Sequence, residues 1–426
     1  MAATRGPDRQ SRTARYGLLL LIAGSSLLYV GGGLTYVMVG SGSTLFVNDG
    51  FQYYCYLPSL VLDQDLDFTN EYAIARRERW GADTWEFVSV VPETGRPANA
   101  WSMGPALLWL PFFLLGLLLE RLAGAGPSHG FGMWCQWPVY LGSLVYGLLA
   151  IRIMYRTVLR EYGPLTRLIV IGLLVAATNL NYYFVFAGQM SHSLSFFAVA
   201  AHLYCLKRVV SHPTRLDRYL LGGLSLGLVA LVRWQDAVLC LMTLAIAAQS
   251  LVRVHRSRKA LLGAAVGLAG LLPAVAAQAL CWQAIYGRPF LVPQGGGWMT
   301  WTHPYVLEVL LSDPVGFYFN SPILVPATVG LIILARRERW WAAGSLLALL
   351  AAIYASAASS QWEAGESFGM RRLISTLPFL GIGLCEFAGF IRSHGWTRYS
   401  WAGAAAAVLW NWTLLTTYFI QRTVNP

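Results

Sequence analysis

Asp49, in the segment NDGFQYY, follows directly on a charge-free apolar run that extends from Gly17 to Asn48. A carboxylate at the rim of a membrane, facing a cationic patch on the same side, suits general-base chemistry on an acceptor hydroxyl. The structural alternative is that Asp49 caps an aromatic helix expected from about Gly50, which contains Tyr53. Candidate cations stand at the ends of other apolar runs: Arg233 closes one, and Arg371 and Arg372 follow Gly369 before another. A guanidinium at a helix end in an apolar setting needs an anion, and its planar fork matches phosphate. Snorkelling of the same side chains to the interface is the competing reading.

Other polar residues fall at the same level of the chain's up-and-down path. The turn AGQMSH supplies Gln189 and His192, with His192 placed to donate to a phosphate or orient a base, or simply to serve as a hydrogen-bonded turn residue. Glu363 and Glu366 lie just ahead of the arginine pair. His303 and Tyr305 belong to a Gly- and aromatic-rich loop, residues 286–322, whose residues 286–313 form the expected external substrate loop. Aromatic faces of this kind suit contact with sugar or lipid, although Trp and Tyr also populate ordinary interface belts. Asp63, Asp65 and Asp67 alternate as in a calcium loop, but Phe68 stands where such a loop needs Gly. No metal ligand set and no cofactor is therefore assigned, and a divalent metal has no support from the spacing.

Long apolar elements must position these residues. The 426-residue chain is 56% hydrophobic and only 12% charged, a balance that the core of a soluble protein does not require. Runs such as Ala260 to Gly287 and Tyr399 to Gln421 exceed the roughly 20 residues that cross a bilayer as a helix. The fold class expected is an all-α polytopic membrane protein forming a single domain over residues 1–426. Six cysteines without paired spacing read as packing residues. The basic start before the first run resembles a signal peptide, but the run is too long for one and reads as a retained helix.

The net charge of +11 would suggest nucleic acid in a soluble protein; here it points to membrane orientation. Most Lys and Arg fall in six clusters: Arg5 to Arg15, Arg152 to Arg167, Lys207 to Arg218, Arg253 to Lys259, Arg336 to Arg339, and Arg392 with Arg398. If all six are cytoplasmic, an even number of spans separates each from the next. The first interval contains three apolar runs, so one should not cross. Gly104 to Leu119, short and interrupted by Pro111, is taken as interfacial or re-entrant. About eleven spans result, with residues 41–135 as a long external loop of interfacial helices. Twelve true spans, with Arg152 to Arg167 outside, is the alternative. Under the eleven-span reading the polar residues named above share the extracytoplasmic face.

In order and placement, these pieces resemble the GT-C superfamily of integral membrane glycosyltransferases, near the protein mannosyltransferase and aminoarabinose transferase type. The resemblance covers most of the chain. It rests on NDGFQYY after the first span, DQDLDFTNEY and SMGPALLWLPFF in the long first loop, AGQMSH, HPYVLEVLLSDPVGFYFNSP, and ESFGMRRL before a late span. The resemblance implies an isoprenoid-phosphate sugar as donor, and a lipid, glycan or protein as acceptor. It also implies Asp49 as the activating carboxylate, Arg371 or Arg372 on the donor phosphate, and inversion at the sugar. Asn48-Asp49-Gly50 replaces the two acids that the family shows here. A bacterial inner membrane is the location implied. A transporter or lipid flippase is the main alternative and a scaffold subunit a lesser one; transporters place ionisable groups near the midplane, often in inverted repeats, and no repeat is visible.

Overall fold

A computed structural model describes residues 7–39, 44–78, 89–254, 258–365 and 367–424. The chain runs through α1 (Pro7–Val39), α2 (Asn48–Pro58), α3 (Thr69–Arg77), α4 (Gly104–Leu122), α5 (Met133–Ile153), α6 (Pro164–Ala176), α7 (His192–Ser211) and α8 (Leu216–Val232). It continues through α9 (Cys240–Arg253), α10 (Arg258–Tyr286), α11 (Val306–Leu311), α12 (Phe317–Asn320), α13 (Leu324–Leu334), α14 (Arg339–Ala357), α15 (Leu377–Ser393) and α16 (Thr397–Val424). Among the described residues, eight helical segments are long and apolar enough to cross a membrane. The protein is thus a multi-pass, all-α membrane protein. Its Leu- and Ala-rich runs satisfy their backbone hydrogen bonds internally, as lipid requires.

Helix pairs in lipid gain little from apolar burial and rely on close packing instead. α13 and α15 meet at Gly330 and Gly383, where a Cβ on Gly330 would lie 1.8 Å from the Gly383 carbonyl oxygen. α8 and α10 touch at Gly223 and Gly267 in the same way.

Several of the basic loops gather at one end of the bundle. Lys207 Nζ lies 2.7 Å from Glu161, Arg337 lies 3.6 Å from Glu161 and also pairs with Glu386, and Arg253 lies 3.9 Å from Glu338. Arg392 Nη2 donates to Thr166 Oγ1 at 2.8 Å, and the first turns of α1 reach the same level, with Gly17 against Leu168. These pairs mark proximity; exposed ion pairs of this kind stabilise by only about 0–1 kcal/mol each.

One expectation for residues 41–135 changes. α2 does not lie on a membrane surface: every residue from Gly50 to Pro58 is buried. Its tyrosines are satisfied by neighbouring carbonyls, with Tyr54 Oη donating to Gly130 at 2.6 Å and Tyr56 Oη to Trp101 at 2.8 Å. α4 continues unbroken through Pro111 to Leu122 and is long and apolar enough to cross. It packs lengthwise on α5, where Trp109 Nε1 donates to Ser143 Oγ at 2.9 Å.

The Asp63–Asp67 segment is built as a turn. Asp65 Oδ1 accepts from the Asp67 amide and Ser59 Oγ, and Asp67 Oδ1 accepts from the Thr69 amide and hydroxyl. Beside it, Glu71 on α3 is fully buried, and neither carboxyl oxygen has a hydrogen-bond partner among the described residues. Burial, with Asp63 and Asp65 adding to it, pushes this carboxyl up to about 8. A raised carboxyl favours the fold only while protonated. The destabilisation is therefore absent below the unfolded value and grows as pH rises through about 8. Glu71→Gln is expected to leave the melting temperature at pH 5 little changed and to raise it by several degrees at pH 9, read by tryptophan fluorescence in detergent.

Candidate functional site

Asp49 lies in the first turn of α2, but the cap position belongs to Val47, which makes no side-chain bond. The carboxylate instead faces across the protein, with its Oδ2 2.8 Å from Arg371 Nη1. Arg371 opens a 3₁₀ turn, Arg371–Thr376, that leads straight into α15. Both side chains are about one quarter exposed, Arg371 at 22% and Asp49 at 25%, so a ligand can reach the pair.

Arg233 extends the cluster. It is the C-cap of α8 in extended conformation, where a cation complements the helix dipole. It is buried, and its Nη1 lies 2.5 Å from His192 Nδ1 and 3.3 Å from the Arg371 carbonyl oxygen. A guanidinium can only donate, so His192 accepts through Nδ1 and carries its ring proton on Nε2. The imidazole stands edge-on to Tyr183, with centroids 4.3 Å apart. The preceding residue, Ser191, donates to Tyr53 Oη at 3.1 Å. Tyr53 is buried on α2; burial raises its phenol, an effect that Arg233 opposes and Asp49 reinforces. Gln189 packs its side chain against the backbone of Gly50, next to Asp49.

Arg372 completes the cationic group by a different route. Its guanidinium lies 5.8 Å from the Trp298 ring, a cation–π contact made by the aromatic loop after α10. Its Nη1 is buried without a hydrogen-bond partner among the described residues. A buried donor left unmade costs about 1–3 kcal/mol, so a ligand oxygen placed there would recover that cost. Asp236, three residues after Arg233, is buried and accepts from Ser195 Oγ at 2.7 Å.

The backbone before the arginines is held in place from below. Asn181 Nδ2 donates to Asn411 Oδ1 at 2.8 Å, and Asn411 Nδ2 donates to the Asn320 carbonyl at 2.9 Å. Gly369 sits on this amide group at φ +63°, and a Cβ there would lie 2.6 Å from Asn320 Oδ1. Gly369→Ala therefore combines a left-handed backbone, about 1 kcal/mol or more for an L-residue, with a clash two residues from Arg371. It is expected to lower the melting temperature by several degrees, measured on the purified variant beside the wild-type protein.

Of the residues singled out in the sequence, Asp49, Arg371, Arg372, Arg233, His192, Gln189 and Tyr53 come together. His303 and Tyr305 do not join them. Their loop is laced to the end of α14, where the Tyr305 amide donates to the Ala357 carbonyl at 2.9 Å, and the two side chains stay exposed, Tyr305 facing Trp362. Glu363 is exposed but close enough to Arg372 to act on it electrostatically. Glu366 lies outside the described residues. Trp298 and Tyr183 join the cluster without a signal in the sequence, and Ser191 comes with the AGQMSH turn. Asp236 carried a signal, as an acid three positions from Arg233 in Arg233-Trp234-Gln235-Asp236.

Among the described residues, no group of three His, Cys, Asp or Glu is arranged to hold a metal ion. The chemistry on offer is a carboxylate in contact with one guanidinium group and near two more: a proton acceptor beside a cluster of cations. No protein-family model and no curated protein matches this chain.

Proposed function

We propose that this protein is a GT-C-type membrane glycosyltransferase of about eleven spans, moving a sugar from an isoprenoid-phosphate donor to an acceptor hydroxyl on the extracytoplasmic face. The observation that carries this reading is the contact of Asp49 with Arg371, inside a cluster that also holds Arg233 and Arg372, whose Nη1 has no hydrogen-bond partner among the described residues. The donor phosphate would take Arg371 and Arg372, and Asp49, released from its ion pair, would face the acceptor. Asp49 accepts the acceptor proton as the new C–O bond forms at the anomeric carbon. The old C–O bond breaks with its electron pair going to the phosphate, and the sugar inverts through an oxocarbenium-like state. The guanidinium groups meet the growing phosphate charge, a preorganised electrostatic role. His192 Nε2–H and Tyr53 are the neutral groups placed to bind oxygen atoms of sugar or acceptor.

Incubating the purified protein with an isoprenoid-phosphate sugar tests this directly. Release of isoprenoid monophosphate together with sugar transfer is the expected result. Movement of the intact lipid between leaflets without cleavage would instead identify a flippase.

A further inference from the structure

A second feature lies at the other end of the bundle. α6, α13, α15 and α16 leave between them a cleft of about 560 Å³. Its walls are apolar, with Ile169, Leu173, Pro326, Leu384, Phe387 and Ala407 among them. No carboxylate is found among its described lining residues, and its only charged member is Arg392. Arg392 is exposed and spends one donor on Thr166 Oγ1, leaving four of the five guanidinium N–H groups for an anion. The hydroxyl-bearing Thr397 and Ser400 line the same end of the cleft, in the first turn of α16. A cationic, hydroxyl-bearing mouth over an apolar slot is complementary to an amphiphile with an anionic head.

Among the described residues, α16 makes its side-chain hydrogen bonds to other elements along its far half. There Trp410 Nε1 donates to the Phe319 carbonyl at 2.7 Å, Asn411 bonds Asn181 and Asn320, and Tyr418 meets Tyr182. From Thr397 to Trp410 the helix covers about 20 Å at 1.5 Å per residue. That length exceeds the roughly 15 Å depth of one leaflet's hydrocarbon and accommodates one extended acyl chain. The isoprenoid tail of a donor held at Arg371 would enter from the opposite face. Arg371 and Arg392 stand 21 positions apart on one continuous turn and helix, or about 30 Å.

We infer that this cleft binds an anionic glycerophospholipid of the leaflet beside the basic loops, its phosphate on Arg392 and one acyl chain between α15 and α16. The lipid fills the gap that the near half of α16 leaves open. It also braces the helix whose Asn411 supports Asn320 under Gly369.

Native mass spectrometry of the full chain in detergent, with phosphatidylglycerol or phosphatidylcholine added at equal concentration, tests the site. The wild-type protein is expected to retain one phosphatidylglycerol at least five-fold more readily than phosphatidylcholine. Arg392→Ala should abolish this preference, lowering phosphatidylglycerol retention more than phosphatidylcholine retention, because choline already offsets the phosphate charge of the latter. Gly403→Phe, introduced where no atom lies within 4 Å of a Cβ, should reduce retention of both lipids by filling the slot. Equal retention of the two lipids by the wild-type protein, or an undiminished preference in Arg392→Ala, overturns the inference. Sugar transfer plays no part in this readout, so the assignment stands or falls separately from the catalytic one.

Discussion

Asp49→Asn is expected to lower sugar transfer by about 10³–10⁴-fold, the upper part of the range for loss of a general base, and to bind isoprenoid phosphate at least as tightly as the wild-type protein. The two halves of this expectation come from the same contact. Asparagine keeps the shape of Asp49 and can still accept a hydrogen bond from Arg371, so the α2 turn and its neighbours need not move. It cannot take up a proton at neutral pH, so the acceptor hydroxyl stays a weak nucleophile. Asp49 and a donor phosphate compete for the same guanidinium, since Oδ2 lies 2.8 Å from Nη1 in the free protein. Removing the carboxylate's charge removes the competitor, and a several-fold gain in phosphate affinity should follow. Single-turnover transfer and isothermal titration with isoprenoid monophosphate, run on the same preparation, measure the two effects. Wild-type turnover in the variant would move the base to another residue. Unchanged affinity with lost turnover would keep Asp49 as the base and remove the competition.

Much of this arrangement was legible in the sequence because charge is costly in lipid. An arginine or aspartate beside an apolar run is confined to a helix end. Asp49, Arg233, His192 and Arg371 could therefore be placed at one level from the spacing of the runs alone, and the structure brings them into contact. The same logic drew the basic loops to a common end, where Lys207, Arg337 and Arg392 meet partners on neighbouring loops.

What stayed hidden depended on partners rather than patterns. A Tyr-rich helix looks the same whether its hydroxyls reach water or carbonyls, and only the positions of Gly130 and Trp101 put α2 inside the protein. Pro111 looked like an interruption. A proline removes one backbone hydrogen bond, however, which a packed helix tolerates, and α4 runs unbroken through Pro111 against α5, where Tyr146 donates to the Leu108 carbonyl at 2.9 Å. The Trp298–Arg372 contact joins residues 74 positions apart through an irregular loop, which hydropathy cannot trace. The bonds of the same loop to Ala357 and Ala358, with Tyr305 facing Trp362, fix a placement that the spacing of apolar runs does not carry.

Arg371→Gln should be the more damaging change at the anion site, weakening isoprenoid-phosphate binding by about 10²-fold and transfer by about 10²–10³-fold. Arg372→Gln should lose less of both. Arg371 carries two loads, because its side chain holds Asp49 while its carbonyl receives Arg233. Its loss leaves a carboxylate unpaired as well as an anion site short of one charge. Arg372 loses only a donor that is unmade in the free protein and a stacking contact with Trp298. Lysine at position 371 should restore part of the binding through its charge but little of the transfer, since a point charge cannot serve Asp49 and a phosphate through one planar fork. The double variant Asp49→Asn/Arg371→Gln separates binding from chemistry. Because Arg371 also meets the growing phosphate charge, the double variant should transfer sugar more slowly than Asp49→Asn even once donor is saturating. Equal rates of the double variant and Asp49→Asn at saturating donor would instead confine Arg371 to holding the donor and Asp49.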